Sequence, residues 1–168
     1  MNTSTQTIDS DAFWAFSLRL YANPHVKEAC LKIQNEWESD VNLILLLAWL
    51  TGKESAIAST GWVTLLAVSD HWQTNILIPF RQKRLNAKGT LQYELLKSEE
   101  LQLEKQEQRA LCNAISTHLM PSKSPIDMIE KYFQEKDVSD MDLRTTLKNL
   151  MFSRKITLSS VSDQEHSN

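Results

Sequence analysis

The sequence predicts an all-α protein, a single-domain helical bundle of about six or seven helices, on three observations. There are only 3 glycines and 4 prolines in 168 residues. A sandwich or barrel needs more turn-formers than that, and a doubly wound fold needs glycines for its phosphate loop. Apolar residues recur at helical spacing over long stretches, and capping residues stand where those stretches begin.

Asp9 and Ser10 offer caps for a first helix over "DAFWAFSLRLYA". In it Trp14, Leu18 and Tyr21 recur at i, i+4, i+7, and Phe13, Phe16 and Leu20 widen the stripe. Asn23-Pro24 restarts the chain, with Asn as cap and Pro at the first helical position, where its missing N–H costs nothing. The second helix carries Val26, Cys30, Ile33 and Trp37 on one face. Asp40 is the expected cap of a third helix and Gly52 its expected stop. That helix holds eight uninterrupted apolar residues, Leu43 to Leu50. A membrane span takes about 20, so this run reads as a core helix.

Between Gly61 and Gly89, "WVTLLAV" and "TNILI" are β-branched enough for short strands, but the helical neighbours favour helix. Pro79 should then break or kink it, leaving "PFRQKRLNAK" as a separate or bent helix ended by Gly89. Residues 90–119 form the longest candidate, with Leu91, Leu95, Leu101, Leu111 and Ile115 among its apolar positions. Its middle, "EELQLEKQEQR", is so polar that a surface helix is expected. "PSKSP" at 121–125 reads as a linker, followed by two short helices, the second started by a Ser139-x-x-Asp142 capping box. The division is a bundle core over 10–119, a C-terminal helical appendage over 120–152, and disordered tails at 1–8 and 153–168.

The chain is 42% hydrophobic and 23% charged, an ordinary composition for a globular domain. Its net charge of −3 supplies no field for a polyanion, so nucleic acid is not an expected partner. Cys30 and Cys112 stand in apolar helical contexts, as buried thiols of a reducing compartment do. The polar opening "MNTSTQTIDSD" has no leader pattern. The cytoplasm is the expected location, and no membrane association is expected.

Three constellations hold candidate chemistry. Asp40 is explained by capping, but Asn42 lies inside an apolar run, where an unpaired amide costs roughly 1–3 kcal/mol. It either satisfies a neighbouring loop or lines a polar pocket with Asp40 and a basic residue from elsewhere. Arg81, Arg84 and Lys88 share one helical face at i, i+3, i+7, with no acid between Asp70 and Glu94. That face is solvated in the first instance, or it meets an anionic partner or an internal carboxylate, with nucleic acid the least expected alternative. "DVSDMD" over 137–142 is explained by capping better than by a cation. His25, His71, His118 and His166 lack ligand spacing, and neither cysteine has a C-x-x-C partner, so no metal site or cofactor is expected. No nucleophile elbow or Walker loop occurs. All five tryptophans fall within the first 72 residues and should be largely core.

Together "FWAFSLRLYANPHVKEACLKIQ", "DVNLILLLAWL" and "IPFRQKRLNAKG" resemble an uncharacterised family of small bacterial proteins, single-domain chains catalogued as a domain of unknown function. The likeness covers 12–90 and implies a cytoplasmic, mostly helical protein; it transfers no catalytic residue.

The leading expectation is a non-catalytic interaction or regulatory protein. It would present Arg81, Arg84 and Lys88 to an acidic protein partner or assemble with its own copies. The alternative is a small helical enzyme or ligand-binding protein with a pocket at Asp40 and Asn42. A deep pocket joining these two residues to Arg81 or Arg84 would favour the alternative; a flat apolar patch rimmed by the arginines would favour the first.

Overall fold

Each of the first three helices begins at the side chain expected to cap it. In the computed structural model, which describes residues 8–122 and 127–152, Asp9 accepts from the backbone N–H groups of Asp11 and Ala12 and starts α1 (Ser10–Tyr21). Asn23 accepts from His25 N–H and starts α2 (Pro24–Trp37), with Pro24 in the first turn. Asp40 accepts from Leu43 N–H and starts α3 (Val41–Gly52). α3 ends on Gly52, but the stop is not a left-handed glycine. Lys53 closes the helix at φ −93°, and the left-handed residue is Glu54 at φ 53°.

A three-residue strand, β1 (Ser55–Ile57), leads to α4 (Ser59–Trp72). α4 runs without a break into a π-helical stretch, Gln73–Leu77, and then α5 (Ile78–Asn86). The chain is therefore helical from Gly61 to Asn86, and the rod does not break at Pro79. Ile78 N–H reaches back to the Gln73 carbonyl, which widens the helix just before the residue that cannot donate. α6 (Gln92–Ile115) is the longest element, and β2 (Leu119–Pro121) then pairs antiparallel with β1, Ala56 opposite Met120. α7 (Met128–Glu135) and α8 (Met141–Phe152) complete the described chain. With α4, the π stretch and α5 taken as one rod, the described residues hold seven helices, and the fold is all-α.

α3 is the axis of the core. Every residue from Asn42 to Leu50 is buried, and α1, α6, α7 and β1 pack around it. Each leucine or isoleucine in that run contributes on the order of 2 kcal/mol relative to exposure. α4 and α6 pack along each other, and α8 covers α2. Met128, Ile129, Tyr132 and Phe133 of α7 join the same core cluster as α3, as do Leu143 and Leu147 of α8. The start of α8 is set by Asp140, which accepts from Leu143 N–H at 2.9 Å and pairs with Lys32 at 3.4 Å. The cap thus lies one residue beyond the expected Ser139, because a carboxylate there also neutralises a lysine on α2. Among the described residues no helix is long and apolar enough to cross a membrane. The expected tails, 1–8 apart from Ile8 and 153–168, lie outside the described residues, as does most of the expected linker.

Candidate functional site

The polar middle of α6 faces inward. Leu96, Glu100, Glu107, Gln108, Leu111 and Ile115 are buried and Glu104 is half-buried, all on one stripe at three- and four-residue spacing. The expectation of a surface helix fails because its partners are polar too. Three elements bring complementary groups to this stripe, α1, α3 and the α4–α5 rod, while α7 joins through Asp40.

At the head of α3, Asn42 Nδ2 donates to Glu107 Oε2 at 2.6 Å, and Asn42 Oδ1 accepts from Gln108 Nε2 at 2.9 Å. Gln73, at the first position of the π stretch, donates to Glu107 Oε1 at 2.9 Å. Gln108 also donates to Ser17 Oγ at 3.0 Å, and that hydroxyl donates to the Phe13 carbonyl at 3.1 Å. Asp40 receives Ser69 Oγ–H at 2.7 Å, while its own N–H donates to the Tyr132 hydroxyl oxygen at 2.8 Å. Asn42 thus bonds two α6 side chains and no loop backbone. An amide at each of three corners and one carboxyl between them close a buried network.

Asp40 and Glu107 also hydrogen-bond each other, and two buried carboxyls in contact cannot both be ionised cheaply. Burial, and then the Asp40 charge, push the Glu107 carboxyl far above the usual range, so the proton of the pair sits on Glu107. Protonated Glu107 donates to Asp40 and still accepts from Asn42 and Gln73, so every lone pair in use is matched. Burial pushes the Tyr132 hydroxyl up as well, with Asp40 adding to it.

Two turns nearer the N-terminus of α6, Glu100 binds both arginines of the basic face. Arg81 Nε lies 3.3 Å from Glu100 Oε1, and Arg84 Nε bonds Glu100 Oε2. The Arg84 guanidinium also donates to the Tyr93 hydroxyl at 3.3 Å. The two arginines therefore meet an internal carboxylate, whereas Lys88 stands exposed past the end of α5. Glu104, between Glu100 and Glu107, makes no hydrogen bond or ion pair among the described residues. Burial, and next the Glu100 charge, push its carboxyl up to about 7, while Arg81, Asp40 and Arg84 act more weakly.

These groups surround a cavity of about 90 Å³. Asp40, Asn42, Gln73, Arg81, Glu104 and Gln108 supply its polar lining, with Ser17, Tyr21 and Gln34. Trp14, Leu18, Val41, Leu45 and Leu101 supply the apolar part. Leu18 and Leu101, 48% and 43% exposed, form its mouth. Asp40 and Asn42 are thus joined to Arg81 at one cavity, while Arg84 stands behind Glu100 and Lys88 is absent from the lining. Gln108, 1% exposed, has its Oε1 buried with no hydrogen-bond partner.

The sequence model of a protein family of unknown function, DUF2390, matches residues 12–111. The chain belongs to that family. The match takes in every residue lining the cavity, from Trp14 to Gln108, and stops short of Tyr132. The DUF2390 match supplies no activity, and neither a curated protein nor a solved structure shows significant similarity to the chain.

Glu100, Glu104, Glu107 and Gln108 carry the site and escaped the reading of the sequence. One signal pointed to them. They occupy the positions of the α6 stripe between Leu96 and Leu111 where apolar residues would belong, so a helix that buries its ends must bury its middle.

Proposed function

We propose that the protein binds a small molecule in the cavity between α1, α3 and α6. One observation carries the reading: the cavity is lined by polar groups that the protein leaves without partners. Tyr21, Gln34 and Glu104 line it without a hydrogen bond among the described residues, and Gln108 has an acceptor to spare. A buried polar atom normally finds a partner within the protein or in water, so the open Gln108 Oε1, with the half-buried Tyr21, Gln34 and Glu104 around the same space, suits a bound ligand. At about 90 Å³ the space equals roughly three waters. It suits a compact ligand, or the head of a longer one that leaves between Leu18 and Leu101.

The other reading, a basic face for an acidic protein partner, has less support, because Glu100 occupies Arg81 and Arg84 and leaves Lys88 exposed. We place the protein in the cytoplasm, a proposal supported by two buried free thiols.

The test is an NMR screen with a panel of compact neutral, anionic and cationic fragments, read at the Trp14 indole. Hits should cluster at Trp14 and Tyr21 and disappear in Leu101→Trp, whose ring closes the mouth on an exposed position. Hits scattered over the surface and indifferent to Leu101→Trp would refute a binding cavity.

A further inference from the structure

The polar cluster around the cavity does not balance its own charge. Four carboxyls, from Asp40, Glu100, Glu104 and Glu107, share it with two guanidiniums, from Arg81 and Arg84. Glu107 is neutralised by the proton it holds against Asp40. Glu100 is held by both arginines. Asp40 receives Ser69 Oγ–H and caps α3. That leaves two cations facing Asp40, Glu100 and Glu104, so the cluster is one positive charge short. The shortfall falls on Glu104, which has no ion pair among the described residues and lines the cavity.

A metal ion is a poor candidate for the missing charge. Among the described residues no group of three or more His, Cys, Asp or Glu is placed to hold one. The walls suit an organic cation better. Trp14 and Tyr21, at i and i+7 on α1, put two aromatic rings in the lining, with Leu18 and Leu101 at the mouth. Aromatic surface beside a carboxylate is the environment in which proteins take up alkylammonium groups.

We infer that the cavity takes a small alkylammonium cation, free or as the head of a longer amine, held by Glu104 against Trp14 and Tyr21. This rests on the binding reading above and names the ligand's class. The Tyr21 hydroxyl, the Gln34 amide and the Gln108 Oε1 offer acceptors to an ammonium N–H. Arg81 lines the same cavity and draws the Glu104 carboxyl down, but it is ion-paired with Glu100 at 3.3 Å and makes no bond to Glu104, so it offsets Glu104 only in part. The cation competes with a proton for Glu104. The other titratable groups facing that carboxyl are Glu100 on α6, Arg81 and Arg84 from α5, Asp40 at the head of α3 and Tyr21 from α1. The arginines keep their charge across neutral pH and Glu107 stays protonated, so Glu104 is the group whose ionisation gates binding there.

The experiment titrates methylammonium and trimethylammonium chloride into the full chain, with sodium acetate as control, read at the Trp14 indole N–H. The ammonium ions should saturate. Their affinity should fall about tenfold from pH 8 to pH 6, as the carboxyl near 7 gains its proton. Glu104→Gln, checked for folding by circular dichroism, should weaken them at least tenfold. Should that variant fail to fold, the pH dependence of the wild type decides alone. Acetate saturating the site while the ammonium ions do not would overturn the cation and leave the binding cavity standing. Ammonium binding that ignores both pH and Glu104→Gln would also overturn it. Silence from all three salts sinks the inference, and silence from the fragment panel as well sinks the cavity reading with it.

Discussion

Glu107→Gln isolates the buried proton. In the wild type the protonated carboxyl donates to Asp40 and accepts from Asn42 and Gln73 at 2.6 and 2.9 Å. A glutamine keeps the donor but loses one acceptor, because its nitrogen replaces one of the two oxygens. One buried amide is then unpaired, at about 1–3 kcal/mol. The variant, however, no longer titrates. Below the carboxyl's ordinary value both folded and unfolded wild type hold the proton, and the position adds no pH dependence. Above it the unfolded chain releases the proton while the native state retains it. Wild-type stability therefore falls as pH rises, by about 1.4 kcal/mol per unit for one proton, until the raised native value is passed. Urea unfolding of both proteins from about pH 5 to about pH 8 should show the variant less stable at the acid end. The difference should shift by about 4 kcal/mol across that range, so the curves cross about one to two units above the carboxyl's ordinary value and the variant is the more stable protein at the alkaline end. Titrating groups other than Asp40, the direct partner of this carboxyl, cancel in the difference. Two parallel curves would mean that Glu107 holds no proton, and the account of the network would fail.

Three further outcomes are expected. Tyr132→Phe removes the acceptor of the buried Asp40 N–H and should cost about 1–3 kcal/mol by urea unfolding, with a change under half a kcal/mol counting against that bond. Gly61→Ala would usually stabilise a helix by up to ~1 kcal/mol, but here a Cβ would meet His118 Cβ at 2.3 Å, so a loss of about 1–3 kcal/mol is expected in thermal melts. Burial pushes the thiols of Cys30 and Cys112 up to about 12, so an alkylating reagent near neutral pH should label neither until denaturant opens the core; labelling of the native protein would contradict their placement.

Local signals carried most of the fold. Asp9, Asn23 and Asp40 each bond their own first turn, and an interaction spanning two or three residues is legible in any sequence. The run from Leu43 to Leu50 could only be a core helix, given its length. The β1–β2 pair was not legible, because three-residue strands 62 or more positions apart have no periodicity to read. The bonds of the candidate site are of that distant kind as well. Asn42 and Glu107 are 65 positions apart, and Asp40 and Tyr132 are 92. Asn42 stood out as an amide in an apolar run, and Arg81 with Arg84 as a pair that could serve an internal carboxylate. Glu100, Glu104 and Glu107 looked like a solvated face, since a buried carboxyl is recognisable only with the groups that neutralise it. The proton on Glu107 is further removed still, being a property of the assembled pair.

The most direct test of the account is a carbon-detected NMR titration of the Glu104 side-chain carboxyl in the full chain. The structure predicts a midpoint near 7, raised by burial and Glu100, that moves down when trimethylammonium occupies the cavity. A midpoint in the ordinary glutamate range, unmoved by the cation, would show that Glu104 is neither desolvated nor the open charge of the cluster.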